Sequence, residues 1–325
     1  MGGLDALRLF AAAMVFVSHL ALYSGIDFGP LTPFATNGRI GVVMFFVLSG
    51  YLLIRPFLYH PVSLRSYALR RLARIMPAYY VVLLGSSLLL MNTQVLEHPL
   101  EYLTLTQNYD SSRTGSFVGV SWTLTIELAF YAVVPLIGMG LARLRPKAAL
   151  IAVIDGIGAS IVGIMAMLAF YRGPGFGYLL LPFFMWAFGL GILVALLERD
   201  WPWQLRVLER QGLWLGAAFL VLALYLGAFA PIDFTTAAAA VCLIVALRRR
   251  SVPSWAALLG DRCSYSFYLW HEQIIRFLAE FTSGWPVAFI AGPTAIGVAL
   301  VSYKFVERPA QLWAARRLPR PPGKR

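Results

Sequence analysis

The sequence predicts an all-α, polytopic membrane helix bundle with about ten transmembrane helices. Three observations predict it. Of 325 residues, 59% are hydrophobic and only 13% are charged, whereas soluble domains carry about 25% charged residues. The mean hydropathy is +0.72. Apolar windows of about 20 residues, long enough to cross a bilayer core, recur between clusters of Pro, Gly and Arg. A membrane domain over 1–310 and a basic cytoplasmic tail over 311–325 account for the chain. The usual length-per-domain rule does not apply to such a composition.

The windows fall at 4–24, 39–58, 77–92, 121–142, 148–171, 178–197, 213–229, 233–248, 255–279 and 286–304. The first lacks the basic leading segment of a secretory signal and is expected to stay as a helix. The second carries Ser49-Gly50 at its middle, where Gly lets backbones or a ligand approach closely. Ser49 is also a nucleophile candidate, with no neighbouring base evident in the sequence. The third is expected to begin at Pro77, a residue suited to a first helical turn. The fourth opens with SWTLTIELAFY. Gly173-Pro174-Gly175 and Trp201-Pro202 bound the sixth, and the eighth is short. The ninth contains GDRCSYSFYLWHEQII, with Ser264, Tyr268 and His271 on a related face. The tenth ends in KFVERP, where Glu307 and Arg308 are expected to act as boundary caps. No internal repeat or matched pair of broken helices marks an inverted-repeat transporter.

The net charge is +12, and its distribution sets the topology. Ten spans put both termini on one side. That side holds Arg65, Arg70, Arg71, Arg74, Arg143, Arg145, Lys147, Arg248 to Arg250, and the tail from Arg316. The opposite side holds Arg39, Arg113, Arg172 and Arg276. The positive-inside rule then places both termini in the cytoplasm. Most of the basic residues are expected at anionic lipid headgroups, so no nucleic-acid partner is expected. Cys242 and Cys263 form no disulfide framework or metal-ligand spacing, and no metal is expected. The Arg-over-Lys bias and abundant Ala, Gly and Leu hint at a bacterial chain.

Ionisable residues inside apolar helices mark a site, because each costs roughly 2.5–3.5 kcal/mol at a helix centre. Arg8 and His19 lie on the first helix, eleven residues or about 16 Å apart, with Asp5 three residues before Arg8. Glu127 is expected at the depth of His19, where a carboxylate on one imidazole nitrogen would fix the tautomer and make the other a base. Arg71 and Arg74 share a helical face near Arg8, and guanidinium groups bind phosphates bidentately. His271 is a rival to His19. The segment 93–120, with Gln107, Asn108, Tyr109, Asp110, Ser111, Ser112 and Arg113, could hydrogen-bond a hydroxyl-rich ligand.

The strings LDALRLFAAAMVFVSH, FFVLSGYL, RRLARIMPAYY, SWTLTIELAFY, YSFYLWH and VERP, in that order, resemble the acyltransferase-3 family of integral membrane O-acyltransferases. The resemblance runs from Leu4 to Pro309. It implies transfer of an acyl group, often acetyl, from cytosolic acyl-CoA to a hydroxyl of a sugar, glycolipid or macrolide-like acceptor across the bilayer. By resemblance, His19 and Glu127 are catalytic, and Arg8, Arg71 and Arg74 bind the acyl-CoA. Trp122, Tyr131, Ser49, Tyr268 and His271 are expected near substrate. No counterpart of the extra C-terminal domain of some members is expected after VERP. The rival expectation is a proton-coupled transporter or flippase with His19 and Glu127 as its relay.

Overall fold

The computed structural model describes residues 2–91, 93–109, 118–170, 180–226 and 229–318. Among them every regular element is helical. In chain order these are α1 (Gly2–Tyr23), α2 (Thr32–Ala35), α3 (Arg39–Tyr59), α4 (Leu64–Leu89), α5 (Gln94–Glu97), α6 (Pro99–Thr104), α7 (Ser121–Arg143) and α8 (Pro146–Phe170). There follow α9 (Leu181–Asp200), α10 (Arg206–Leu226), α11 (Phe229–Leu247), α12 (Ser254–Arg262), α13 (Ser264–Ala279), α14 (Trp285–Ser302) and α15 (Arg308–Arg316).

Eight helical stretches among the described residues are long and apolar enough to cross a membrane. Two of the ten expected spans are not among these. The eighth is short, with its apolar stretch at Ile232–Leu247. The ninth breaks at Cys263, so α12 and the 16-residue α13 replace one continuous helix. The third span also differs. It runs unbroken from Leu64 to Leu89 with Pro77 inside it. Ser63 caps its start by accepting from the Ser66 N–H, and the Tyr265 hydroxyl donates to the Ile75 carbonyl at 3.0 Å. Arg71, Arg74 and Ser86 therefore belong to one helix.

α3 is the hub. It packs on α1, α7, α9 and α11, and 72% of its apolar window is buried, against 11% for α8, which leaves α8 facing outward. Lipid tails give helices little apolar reason to associate, so small residues and close backbones do that work. Gly50 on α3 lies against the Phe188 backbone of α9, and Gly191 on α9 lies against the Val47 carbonyl of α3. A side chain at either glycine would collide with main chain. That bears out close packing at Ser49-Gly50.

Charge pairs pin the same helices at both ends. Arg39 donates twice to Asp233, each at 2.6 Å, joining α3 to α11. At the other end, Glu198 accepts from Tyr51 at 2.6 Å and from Arg248 at 3.1 Å. Arg248 also reaches Glu209 at 2.5 Å. Arg248 is buried, so this member of the basic run serves the bundle and not the headgroups. Glu307 is likewise no boundary cap. The π turn Tyr303–Glu307 turns it inward, where it is buried and accepts from Ser266 at 2.5 Å. Arg113, Arg172, Gly173 to Gly175 and the tail beyond 318 lie outside the described residues.

Removing Glu198 takes one carboxylate from the buried Arg248 and the acceptor from Tyr51, losses of about 1.5–3 kcal/mol. Glu198→Ala should therefore lower the melting temperature by several degrees in reconstituted protein. A melt within one degree of wild type would contradict this role.

Candidate active site

α1 is the frame of the site. Its unbroken run carries Arg8 near one end and His19 eleven residues on, about 16 Å along the axis. The two residues serve two different places, and α1 holds them at a fixed separation.

At the Arg8 end, α1, α3, α4, α7 and α13 line a cavity of about 100 Å3. Arg8, Arg71 and Arg74 line it together with Ser49, Glu127, Tyr131, Ser264 and Tyr268. Arg8 is paired with Asp5 at 2.6 Å. Among the described residues Arg71 and Arg74 have no ion-pair partner. The Arg71 guanidinium lies over the Tyr67 and Tyr131 rings, 5.7 Å from each centroid. Three arginines against one carboxylate, Glu127, in the lining make a cavity suited to anionic oxygens. The rest of its wall is apolar and aromatic, with Phe45, Phe46 and Leu52 among its members.

At the other end, His19 meets a second histidine. His19 Nδ1 and His271 Nε2 are 2.8 Å apart. The other nitrogen of His271 lies 3.1 Å from the Phe267 carbonyl. A carbonyl only accepts, so Nδ1 of His271 carries the proton and its Nε2 is a bare acceptor. His19 must then donate through Nδ1–H. Its own Nε2 is left with a free lone pair. The tautomer is assigned from this hydrogen-bond chain. His271 is fully buried, with Phe267 stacked on it at 5.8 Å and Phe16 edge-on at 6.1 Å. His19 is half-buried and stacks on Tyr23 at 5.9 Å.

Glu272 adjoins this pair and is almost fully buried. Its carboxylate accepts from the Tyr23 hydroxyl at 3.2 Å and the Val120 N–H at 2.9 Å, and Arg276 lies 3.8 Å away. Gly119 leaves room for it, since a Cβ there would collide with both carboxylate oxygens.

The expected contact between His19 and Glu127 is not formed. Tyr268 of α13 meets Thr123 of α7 at 2.9 Å, and Glu272 meets Val120. In that register His271 is level with the start of α7, and Glu127 is level with Ser264, about 10 Å nearer the Arg8 end. Glu127 instead accepts from Tyr131 at 2.7 Å and Ser49 at 3.4 Å, inside the cation-lined cavity. Ser49, Tyr131 and Tyr268 join it there. Trp122 does not line that cavity. It packs on Phe184 at 5.8 Å and Phe46 at 6.5 Å. Gln107 and Asn108 are turned inward to the start of α7, donating to Ser121 and to the Trp122 carbonyl at 2.8 Å each. Asp110 to Arg113 lie outside the described residues. Tyr23 and Glu272 are additions to the expected set. The signal for Glu272 was the run His271-Glu272-Gln273, three consecutive polar residues in an apolar helix. Among the described residues no three His, Cys, Asp or Glu side chains converge as metal ligands.

Selective 15N labelling of histidine should show His19 protonated at Nδ1 in the wild type. His271→Leu removes the acceptor and should abolish that single tautomer. An unchanged His19 spectrum in His271→Leu would contradict the hydrogen-bond chain.

The family model described as "Acyltransferase domain" matches residues 1–304. The chain is 26% identical to nodulation protein 10 of Rhizobium leguminosarum bv. viciae, covering 94% of this chain and 92% of that protein. It is 28% identical to the acyltransferase MdmB of Streptomyces mycarofaciens, over 97% and 93% of the two chains. It is 28% identical to YrhL of Bacillus subtilis, whose name proposes a peptidoglycan O-acetyltransferase, over 94% of this chain and 54% of that one. No solved structure gives a significant match. The chain belongs to the acyltransferase family that the matching model defines.

Proposed function

We propose that this member of the acyltransferase family, a multi-pass membrane protein, moves an acyl group, acetyl in the first instance, from cytosolic acyl-CoA to a hydroxyl on the far side of the bilayer. The observation that carries the proposal is the layout of α1. One rigid helix joins a three-arginine cavity at Arg8 to a histidine with an open lone pair at His19. A donor with phosphates at one end and a thioester at the other suits that layout.

In the proposed sequence the CoA phosphates pair with Arg71, Arg74 and Arg8. The pantetheine arm lies along the cavity past Ser49, Glu127, Tyr131 and Ser264. Pantetheine carries amide N–H groups, and the Glu127 carboxylate is a suitable acceptor for one. The thioester reaches past Tyr268 toward His19. The acceptor hydroxyl arrives from the opposite end, and His19 Nε2 takes its proton as the oxygen attacks the carbonyl carbon. The tetrahedral intermediate collapses, the C–S bond breaks, and the imidazolium returns its proton to the CoA thiolate. His271 holds the His19 ring and accepts from its Nδ1–H throughout. Direct attack by His19, forming an acyl-imidazole that the hydroxyl then resolves, uses the same geometry.

The positive-inside rule orients the protein with both termini and the arginine cavity in the cytoplasm, where acyl-CoA is made. The acceptor class is a hydroxyl-bearing saccharide, glycolipid or macrolide-like molecule. The name carried by YrhL favours a glycan. The rival transporter would run protons between His19 and Glu127. The offset of about 10 Å between their levels does not favour that relay.

In nanodiscs supplied with acetyl-CoA and a panel of sugars and polyols, acceptor-dependent CoA release should fall about 10²–10⁴-fold in His19→Ala. Release within threefold of wild type would contradict His19 as the base. Arg71→Ala or Arg74→Ala should raise the KM for acetyl-CoA about tenfold or more, as loss of a charge-assisted hydrogen bond demands. An unchanged KM would move the donor elsewhere. Uptake of the same compounds into proteoliposomes without CoA release would favour the transporter.

A further inference from the structure

The transfer proposed above creates a charge that needs a partner. When a hydroxyl oxygen attacks a thioester carbonyl, the C=O electron pair moves onto the carbonyl oxygen, which becomes an alkoxide. Inside the bundle little water can solvate it, so a fixed donor at that point lowers the barrier far more than it would in water. The N–H groups of the histidine pair are already given away. His19 Nδ1–H goes to His271, and His271 Nδ1–H goes to the Phe267 carbonyl.

Six side-chain hydroxyls line the arginine cavity among the described residues. Five of them are committed to strong acceptors. Ser49 and Tyr131 donate to the Glu127 carboxylate at 3.4 and 2.7 Å. Thr123, Ser264 and Tyr265 donate to the carbonyls of Val120, Gly260 and Ile75 at 2.9, 2.6 and 3.0 Å. The sixth is Tyr268, whose oxygen lies 2.9 Å from Thr123 Oγ1. A hydroxyl has one proton and a carbonyl only accepts. The Thr123 proton therefore goes to Val120, and Tyr268 donates to Thr123. That leaves the Tyr268 proton held by a neutral hydroxyl alone. An alkoxide is the better acceptor, because charge-assisted hydrogen bonds are roughly twice as strong as neutral ones. Turning the Tyr268 proton toward it strands no donor on Thr123, whose own proton stays on Val120.

The position of Tyr268 fits the same role. It lies three residues before His271 on α13, about one turn nearer the arginine cavity. Its ring is 5.8 Å from the His271 ring, and Phe45 packs edge-on against it at 5.5 Å. Tyr268 is buried and lines the cavity. A carbonyl carried from the arginines toward His19 passes this hydroxyl.

We propose that Tyr268 is a catalytic residue of the acyl transfer, its hydroxyl donating a hydrogen bond to the carbonyl oxygen as that oxygen gains charge. This role rests on the transferase function proposed above. The acceptor O–C bond forms as the C=O pair moves to oxygen, and Tyr268 shares its proton without giving it up. When the C=O bond re-forms, the C–S bond breaks, and the thiolate takes the proton from the His19 imidazolium.

Full-length protein in nanodiscs is assayed with acetyl-CoA and whichever sugar or polyol of the panel gives the fastest wild-type CoA release. Tyr268→Phe should lower kcat about 10²–10³-fold, the cost of one lost oxyanion donor. Its affinity for a non-hydrolysable acetyl-CoA thioether analogue should stay within about threefold of wild type, which also shows that the variant is folded. Thr123→Val breaks the same hydroxyl pair but leaves the Tyr268 O–H in place, so its loss in kcat should be at least about tenfold smaller. A merely structural pair would make the two variants equal. A Tyr268→Phe kcat within about threefold of wild type, equal losses in the two variants, or an analogue affinity that falls along with kcat would each overturn the assignment alone. No acceptor-dependent release from the wild type would instead overturn the transferase function and the Tyr268 role with it.

Discussion

An imidazole inside an apolar bundle cannot rely on water for its hydrogen bonds, and the contact at 2.8 Å between His19 and His271 answers that constraint. It orders much else. The proton on His271 is held by the Phe267 carbonyl, one turn earlier on α13. That fixes the donor and acceptor on His19 and leaves one lone pair facing away from the pair. For the two rings to meet, α1 and α13 must lie side by side. α13 in turn is tied to α7 by Tyr268 with Thr123 and by Glu272 with Val120. The buried carboxylate of Glu272 also reaches Tyr23, the ring stacked on His19. An imidazole placed this way is supported from two helices besides its own.

The bundle keeps two chemically distinct ends apart. One is rich in guanidinium groups, and the other carries the histidine pair with the buried Glu272. Between them lie Tyr268, Phe45 and Thr123, with the Tyr268 ring 5.5 Å from Phe45 and 5.8 Å from His271. Tyr268 touches both places, since it lines the arginine cavity and contacts the histidine pair. In the proposed reaction the donor passes this point on its way to His19. Close packing at Gly50 and Gly191, together with the Glu198 network, keeps α3 as the fixed wall on which the cavity is built.

Much of this was legible in the sequence, for physical reasons. Hydropathy marked the spans because the bilayer sets their length. His19, Arg8, Arg71 and Arg74 stood out because a charge or an imidazole in an apolar helix is costly. Ser49-Gly50 pointed to close approach because Gly has no Cβ. What failed was pairing across helices. Glu127 was matched to His19 by counting residues from each helix end, but real register depends on which side chains interlock, and α7 starts level with His271. Pro77 suggested a helix start because its missing N–H costs least there, yet α4 runs on through it, held in the bundle by its packing. Arg248 and Glu307 read as interfacial charges because local sequence does not reveal Glu198, Glu209 or Ser266 as their partners. Glu272 went unremarked beside His271, though the His-Glu-Gln run is the most polar stretch of α13.

The most direct test of the central claim is a structure of the protein in nanodiscs with a non-hydrolysable acetyl-CoA thioether analogue. The account predicts the nucleotide phosphates against Arg71 and Arg74, and the analogue's carbonyl carbon where an attacking oxygen would lie about 3–3.5 Å from both that carbon and His19 Nε2. An analogue seated away from the arginine cavity, or one whose carbonyl stops short on the Glu127 side of Tyr268 with no route onward, would contradict it.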